Sequence, residues 1–345
     1  MPKNRFKIPL FYPHVTLEMK RAAYAALGQT QITQGKTVDK FEKQLAKSLK
    51  LNHVLGVNCC TSALELSFHL LDLKPKDEVI VPVFTCTADT VLLQRRGVNI
   101  VFADIKENML LDWDDAAKKI TPKTRAIVNV HLFGQLNHTR NLGVPVVGDA
   151  AQYLGKTRGE RFTAYSFQAT KIITTVDGGA LVCARSKDYH RARLLRWYGI
   201  DRDTDADNID VDITEAGYKH HMNNVTAAIG LTAIPALPKL KAKITRLQTR
   251  YHQLLKNIPD LKLIGGSPFL IHTQHRDELR QYLAANEIEA GLGHRRNDMY
   301  TVFGGQRLNL PNMNRLEKTY LLLPCRANMK VKDVEFICAA IKKYV

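Results

Sequence analysis

Residues 53–71 read HVLGVNCCTSALELSFHLL, and the way this stretch changes character decides the fold class. Residues 53–57 are apolar at nearly every position, as expected of a strand covered on both faces; a strand wet on one face would alternate. Asn58, Cys59, Cys60, Thr61 and Ser62 then form a polar turn, and residues 63–71 read as a helix. Strand, turn and helix in that order are the repeating unit of a parallel sheet with crossover helices.

The same pattern extends in both directions. Upstream, Val38, Phe41, Leu45 and Leu49 fall three or four apart, which predicts an amphipathic helix opening after Gly35 and Thr37. Downstream, residues 78–81, 99–103, 126–130 and 144–147 are further continuous apolar runs, with a helix over 88–95. The prediction is an α/β, doubly wound and mostly parallel sheet. Past Gly178 the pattern shifts to helices over 188–197 and 224–234. Pro235 and Pro238 then punctuate the chain before a basic helix over 240–255. Helices over 276–285 and 332–344, with short possible strands between them, complete a smaller C-terminal α/β domain. The expected division is residues 1–234, including an N-terminal helical segment, and residues 235–345.

Composition bounds the function. With 345 residues, 45% of them hydrophobic and 24% charged, the chain is ordinary for a globular protein, so collagen-like and largely disordered readings are excluded. No apolar run approaches the ~20 residues of a membrane span. Pro9, His14 and Glu18 interrupt anything resembling a signal peptide, so a cytoplasmic location is expected. Six cysteines, sparse and irregular, fit thiols better than a disulfide framework, and no metal-ligand spacing occurs. The net charge of +17 favours anionic ligands. Its basic residues are scattered rather than gathered in a patch, which argues against nucleic acid.

In open α/β sheets ligands bind beyond the carboxyl ends of the strands. No Gly-x-Gly-x-x-Gly follows the first strand. Gly-Lys-Thr occurs at 35–37 and 155–157, but the Gly that a P-loop requires five positions earlier is Thr30 in one case and Ala150 in the other. Dinucleotide dehydrogenases and P-loop NTPases are therefore set aside. The turns beyond these strands carry a different chemistry. The turn at Thr61 and Ser62 places backbone N–H groups and two hydroxyls at a helix N-terminus, which suits an anion; the alternative reading is an ordinary N-cap. Residues 144–147 lead into Asp149, with Gln152 close behind, and Ser166 precedes Lys171, which lies between apolar patches. An anion cradle, a carboxylate after a buried strand and a lysine some 20 residues on are the parts pyridoxal phosphate requires.

In order and spacing, Phe41-Glu42, Thr61-Ser62-Ala63-Leu64, Asp77-Glu78-Val79-Ile80-Val81-Pro82, Val130-His131-Leu132-Phe133-Gly134, Asp149-Ala150-Ala151-Gln152, Ser166-Phe167, Lys171 and Gly178-Gly179 resemble the DegT/DnrJ/EryC1/StrS family. Leu195-Arg196, Gly217-Tyr218, Met222 and Leu323-Pro324 continue the likeness along nearly the whole chain. These are pyridoxal-phosphate enzymes of aminotransferase fold type I, mostly acting on nucleotide-linked keto sugars. The resemblance implies Lys171 as the Schiff-base lysine and proton shuttle, and Asp149 as partner of the pyridinium nitrogen. It implies that Gln152 faces the ring oxygen and that Thr61, Ser62 and Ser166 hold the phosphate. Cys86 takes the place beside the ring where an aromatic residue is frequent, and Cys59-Cys60 replaces the family's usual Ser-Gly. The segment carrying Lys219, His220 and His221 corresponds to a loop that reaches the neighbouring subunit's site, with Lys219 at the phosphate and the two histidines near substrate. That implies a homodimer with shared active sites. His294, Arg295 and Arg296 align with a region lining the family's sugar site, and residues 265–273 are abbreviated.

The expected activity is transfer of an amino group from glutamate to a keto carbon of a nucleotide-linked sugar. A sugar dehydratase of the same family is the nearest rival, but such enzymes carry histidine where Lys171 stands. A binding protein on a retired scaffold is the other alternative, and retention of Asp149, Ser166 and Lys171 together argues against it.

Overall fold

The computed structural model describes residues 6–201 and 212–345. Helix α1 (Leu17–Leu27) is capped by the Thr16 hydroxyl, which accepts the Met19 N–H at 3.3 Å. Helix α2 (Lys36–Leu49) buries Val38, Phe41, Leu45 and Leu49, the four residues whose spacing predicts it. Then come β1 (Val54–Val57), α3 (Cys60–Leu70), β2 (Glu78–Pro82), α4 (Thr87–Arg95), β3 (Asn99–Ala103), α5 (Trp113–Lys118), β4 (Thr124–Val130), β5 (Val146–Ala150), β6 (Phe162–Ser166) and β7 (Gly179–Cys183). These seven strands form one sheet in the order β1-β7-β6-β5-β4-β2-β3. Its pairings are parallel except those of β7, which runs antiparallel to both β1 and β6.

Two details differ from the sequence reading. Strand β5 begins after Pro145, which has no N–H for the ladder, and continues through Gly148 and Asp149 because β4 and β6 cover both its edges. Asp149 is thus a strand residue rather than the first residue of a turn. Strands β6 and β7 lack a long aliphatic run; Thr163, Ala164 and Ser166 are small or polar, yet all five residues of β6 are buried.

The rest of the chain forms α6 (Ser186–Arg196), α7 (Asn224–Ala233), α8 (Leu237–Leu255), β8 (Lys262–Gly265), β9 (Phe269–His272), α9 (Arg276–Ala285), α10 (Pro311–Leu316), β10 (Tyr320–Leu323) and α11 (Val331–Tyr344). Strands β10, β9 and β8 make an antiparallel sheet. Pro238 does not break the basic helix but sits in the first turn of α8, where its missing N–H costs nothing. The N-terminal stretch lies along this C-terminal unit, as Ile8 exchanges backbone hydrogen bonds with Glu287 and Glu289 at 3.1 and 3.0 Å.

A buried ion pair fixes the edge of the large sheet. Arg196 on α6, 4% exposed, donates to Glu42 on α2 at 2.7 Å and to the carbonyl of Gly56 on β1 at 2.9 Å. Glu42 in turn accepts the Gly56 N–H at 2.7 Å. Removing either partner would strand a buried charge, which costs about 3–5 kcal/mol.

Candidate active site

A cavity of about 370 Å³ opens at the carboxyl edge of the large sheet. Thr61 reaches it from the start of α3, Cys86 from the turn after β2, Asp149 and Gln152 from the end of β5, and Ser166 and Lys171 from the end of β6 and the loop beyond. His294 enters from the C-terminal unit. Seven of the residues singled out in the sequence therefore meet in one place. A second cavity of about 540 Å³ continues from Lys171 toward the N-terminal stretch and α8.

The anion cradle is built by α3. This helix starts at Cys60, three residues before the sequence suggests, so Thr61 and Ser62 lie within its first turn. Its first intrahelical bond runs from Ala63 to the Cys59 carbonyl at 3.3 Å, leaving the N–H groups of Cys60, Thr61 and Ser62 outside the helical ladder. Those groups and the helix dipole favour an anion. Gly179 makes the close approach possible, since a Cβ there would stand 2.5 Å from the Cys59 carbonyl carbon and 2.6 Å from the Cys60 nitrogen. Only glycine lets β7 pass beneath this turn.

Asp149 is 4% exposed. Its Oδ1 accepts the Ala151 N–H at 2.8 Å and faces the Cys60 thiol at 3.9 Å. Burial pushes its carboxyl above the usual range, opposed by the Ala151 N–H and by the nearby Lys171 and His131 side chains. Among the described residues no basic side chain forms an ion pair with it. A buried carboxylate of this kind fits a protonated ring nitrogen, which would supply the missing cation. The site therefore suits pyridoxal phosphate on three counts: an anion cradle, a buried acid and an amine in the same cavity.

Gln152 is fixed at both ends of its amide, with Oε1 accepting the Phe133 N–H at 2.9 Å and Nε2 donating to His294 Nε2 at 3.1 Å. The His294 proton then resides on Nδ1. Burial, aided by the Lys171 charge, lowers the His294 pKa to about 4, so this ring is neutral at pH 7. Sequence reasoning missed His131 and Asp89 as part of this site. His131 is fully buried, 3.2 Å from Glu160, and its backbone N–H bonds the Asp149 carbonyl at 2.9 Å. Its signal was its position directly after an apolar run.

Several expected residues lie elsewhere in the subunit. The Ser62 hydroxyl is donated to Asn58 at 2.6 Å and shapes the turn. Lys219 is exposed, His220 bonds Glu65 at 3.0 Å and stacks on Tyr218, and the His221 ring lies against Trp197; none of the three lines the cavity. Arg295 borders a neighbouring basic cavity, also about 370 Å³. Arg296 is 3% exposed and locked in a fork on Asp298 (2.7 and 2.6 Å), with Glu317 also near at 3.5 Å, so it is not free for a ligand.

Fold and site together define a pyridoxal-phosphate aminotransferase. A sequence profile of the DegT/DnrJ/EryC1/StrS aminotransferase family matches residues 14–342, and the chain belongs to that family. The spore coat polysaccharide biosynthesis protein SpsC of Bacillus subtilis (strain 168) is 28% identical over 391 aligned positions, covering 99% of this chain and 98% of its own. The crystal structure of sugar aminotransferase CalS13 from Micromonospora echinospora superposes with a TM-score of 0.91 at 26% identity, covering 97% of this chain and 99% of that one. AtS13 from Actinomadura melliaura gives 0.90 at 29%, covering 97% and 98%. Among the described residues no helix is long and apolar enough to cross a membrane.

Proposed function

We propose that this chain transfers the amino group of glutamate to a keto carbon of a nucleotide-linked sugar, making an amino sugar for polysaccharide or glycan synthesis. The observation that carries the reading is the meeting of Lys171, Asp149 and the α3 cradle in one cavity. SpsC, by its name, serves spore coat polysaccharide biosynthesis, and CalS13 is a sugar aminotransferase, which supports a sugar acceptor.

Pyridoxal phosphate supplies, when bound, an aldehyde carbon that captures an amine and a conjugated ring that accepts the electrons released from a carbon–hydrogen bond. The amine of Lys171 would hold the cofactor and would serve as general base and acid in the proton transfer. Asp149 keeps the ring nitrogen protonated by its charge. Thr61, Ser166 and the first-turn N–H groups of α3 hold the phosphate, with Ser62 shaping that turn. Gln152 would face the ring oxygen, Cys86 would stand beside the ring, and His294 would border the sugar. Residues 1–234 form the cofactor-binding domain and residues 235–345 the smaller one. Lys219, with His220 and His221 on the same loop, completes the neighbouring subunit's site in a cytoplasmic homodimer. Lysine rather than histidine at 171 disfavours the dehydratase alternative.

The test is incubation of the purified protein with glutamate and a panel of nucleotide-linked keto sugars, following 2-oxoglutarate and the amino sugar by mass spectrometry. Turnover of an unlinked keto sugar at equal efficiency would overturn the nucleotide requirement, and a dehydrated product would favour the dehydratase.

A further inference from the structure

Asp89 stands in the first turn of α4 and is 0% exposed. Its Oδ2 accepts the Thr85 hydroxyl at 2.6 Å, while its Oδ1 meets no donor. Among the described residues no basic side chain forms an ion pair with it, and the carboxyl of Asp149 is the neighbouring acid whose charge and hydrogen-bonding act on it. Two ionised carboxylates so close together at a buried position repel strongly, which favours the pair keeping one proton.

The surroundings decide where that proton resides. Asp149 has the Ala151 N–H, the Lys171 amine, and the ring nitrogen when the cofactor is present. Asp89 has the Thr85 hydroxyl alone. Burial and then the charge of Asp149 push the Asp89 carboxyl well above the usual range. The remaining titratable neighbours are the thiols of Cys60 on α3 and Cys86 ahead of α4, both raised by burial and hence uncharged at pH 7.

We propose that Asp89 is a positioning residue: as a neutral acid it donates a hydrogen bond to Asp149 and holds that carboxylate turned toward the place of the ring nitrogen. The chain of donors then runs from the Thr85 hydroxyl to Asp89 and from Asp89 to Asp149, with the Ala151 N–H fixing Asp149 Oδ1. This inference rests on the reading of Asp149 as partner of the cofactor ring.

The test measures equilibrium binding, by absorbance, of pyridoxal phosphate and of an analogue with carbon in place of the ring nitrogen. Unaltered chain, Asp89→Asn, Asp89→Ala and Asp149→Asn are compared between pH 6 and 9. Asparagine reproduces a neutral acid, since its oxygen accepts from Thr85 and its amide donates to Asp149. Asp89→Asn should bind pyridoxal phosphate with unchanged affinity and pH dependence. Asp89→Ala should bind it about tenfold more weakly, equivalent to about 1.4 kcal/mol, yet bind the analogue as well as the unaltered chain does. Equal weakening for both compounds would mark a merely structural role and overturn the proposal, as would a loss in Asp89→Asn matching that in Asp89→Ala. Should Asp89→Ala fail to fold, Asp89→Asn decides alone: unchanged affinity and pH dependence support the proposal, and a change in either overturns it. Asp149→Asn separates the two claims. If it leaves the preference for the nitrogen-bearing ring intact, the assignment of Asp149 falls. If it abolishes that preference while Asp89→Ala retains it in full, only the role of Asp89 falls.

Discussion

Gln152 ties the end of β5 to the C-terminal unit, donating from Nε2 to His294 Nε2 at 3.1 Å while its Oε1 accepts the Phe133 N–H. The contact requires a neutral imidazole at the accepting nitrogen, and burial enforces one by lowering the His294 pKa from 6.5 to about 4. The unfolded chain therefore binds a proton at His294 that the folded chain refuses. Stability is fully present above pH 6.5 and declines as the pH falls toward 4. His294→Gln should lose roughly 1–2 kcal/mol less than the unaltered chain between pH 7 and 4. Urea unfolding at several pH values checks this, and parallel curves for the two proteins would refute it.

Gly179 gives a second prediction, because an added Cβ would lie 2.5 Å from backbone at Cys59 rather than against a flexible side chain. Gly179→Ala must push β7 and the α3 turn apart, and that turn is the anion cradle. Pyridoxal phosphate affinity should fall about tenfold, with a stability loss of about 1–3 kcal/mol. Absorbance titration and thermal unfolding test both effects, and an unchanged affinity would show that the cradle tolerates the shift.

Much of this was legible in the sequence, for identifiable reasons. The residues of α2 at helical spacing, and the apolar runs of β1 to β5, announce elements covered on both sides. Asp149, Gln152, Ser166 and Lys171 stand out because they come after strands. Other features depend on three-dimensional neighbours. Arg295 and Arg296 are adjacent residues of one type, yet only Arg296 finds Asp298 and Glu317. Ser62 looks like a phosphate donor until Asn58 is seen to take its proton. Asp89 reads as an ordinary acid at a helix start, and its burial against Asp149 appears only when β2 and β5 are brought into one sheet.

Lys219 supplies a third prediction, since it is exposed and lines none of the three cavities described above, although it lies on the loop whose family counterpart serves a neighbouring site. Lys171→Ala should be inactive, with no other amine placed for the proton transfer. Lys219→Glu should also be inactive, by repelling the cofactor phosphate across the interface. Mixing the two should restore activity, because a hybrid dimer contains one site with both lysines intact. Confirmed subunit exchange without recovered turnover would count against shared sites.

Arg295 and the net charge of +17 carry the last prediction. The Arg295 guanidinium lies over the Tyr300 ring at 5.3 Å and donates to the Met299 carbonyl at 3.3 Å, but no carboxylate neutralises it among the described residues. It borders the basic cavity that also holds Arg276 and Arg307, whereas His294 beside it is neutral and contributes no charge. A nucleotide diphosphate brings about two negative charges that a free sugar lacks, and such charges are drawn to an unpaired guanidinium. Arg295→Ala should raise KM for the nucleotide-linked sugar about tenfold and leave the glutamate half-reaction nearly unchanged, a loss of about 1.4 kcal/mol confined to one substrate. Binding of the nucleotide sugar should also weaken as the Debye length falls from ~30 Å at 0.01 M salt to ~10 Å at 0.1 M. Arg295→Ala should reduce that salt sensitivity. Steady-state kinetics at the two ionic strengths, run for each half-reaction separately, read both effects. Equal damage to both half-reactions would place Arg295 in the shared machinery of the site rather than at the diphosphate.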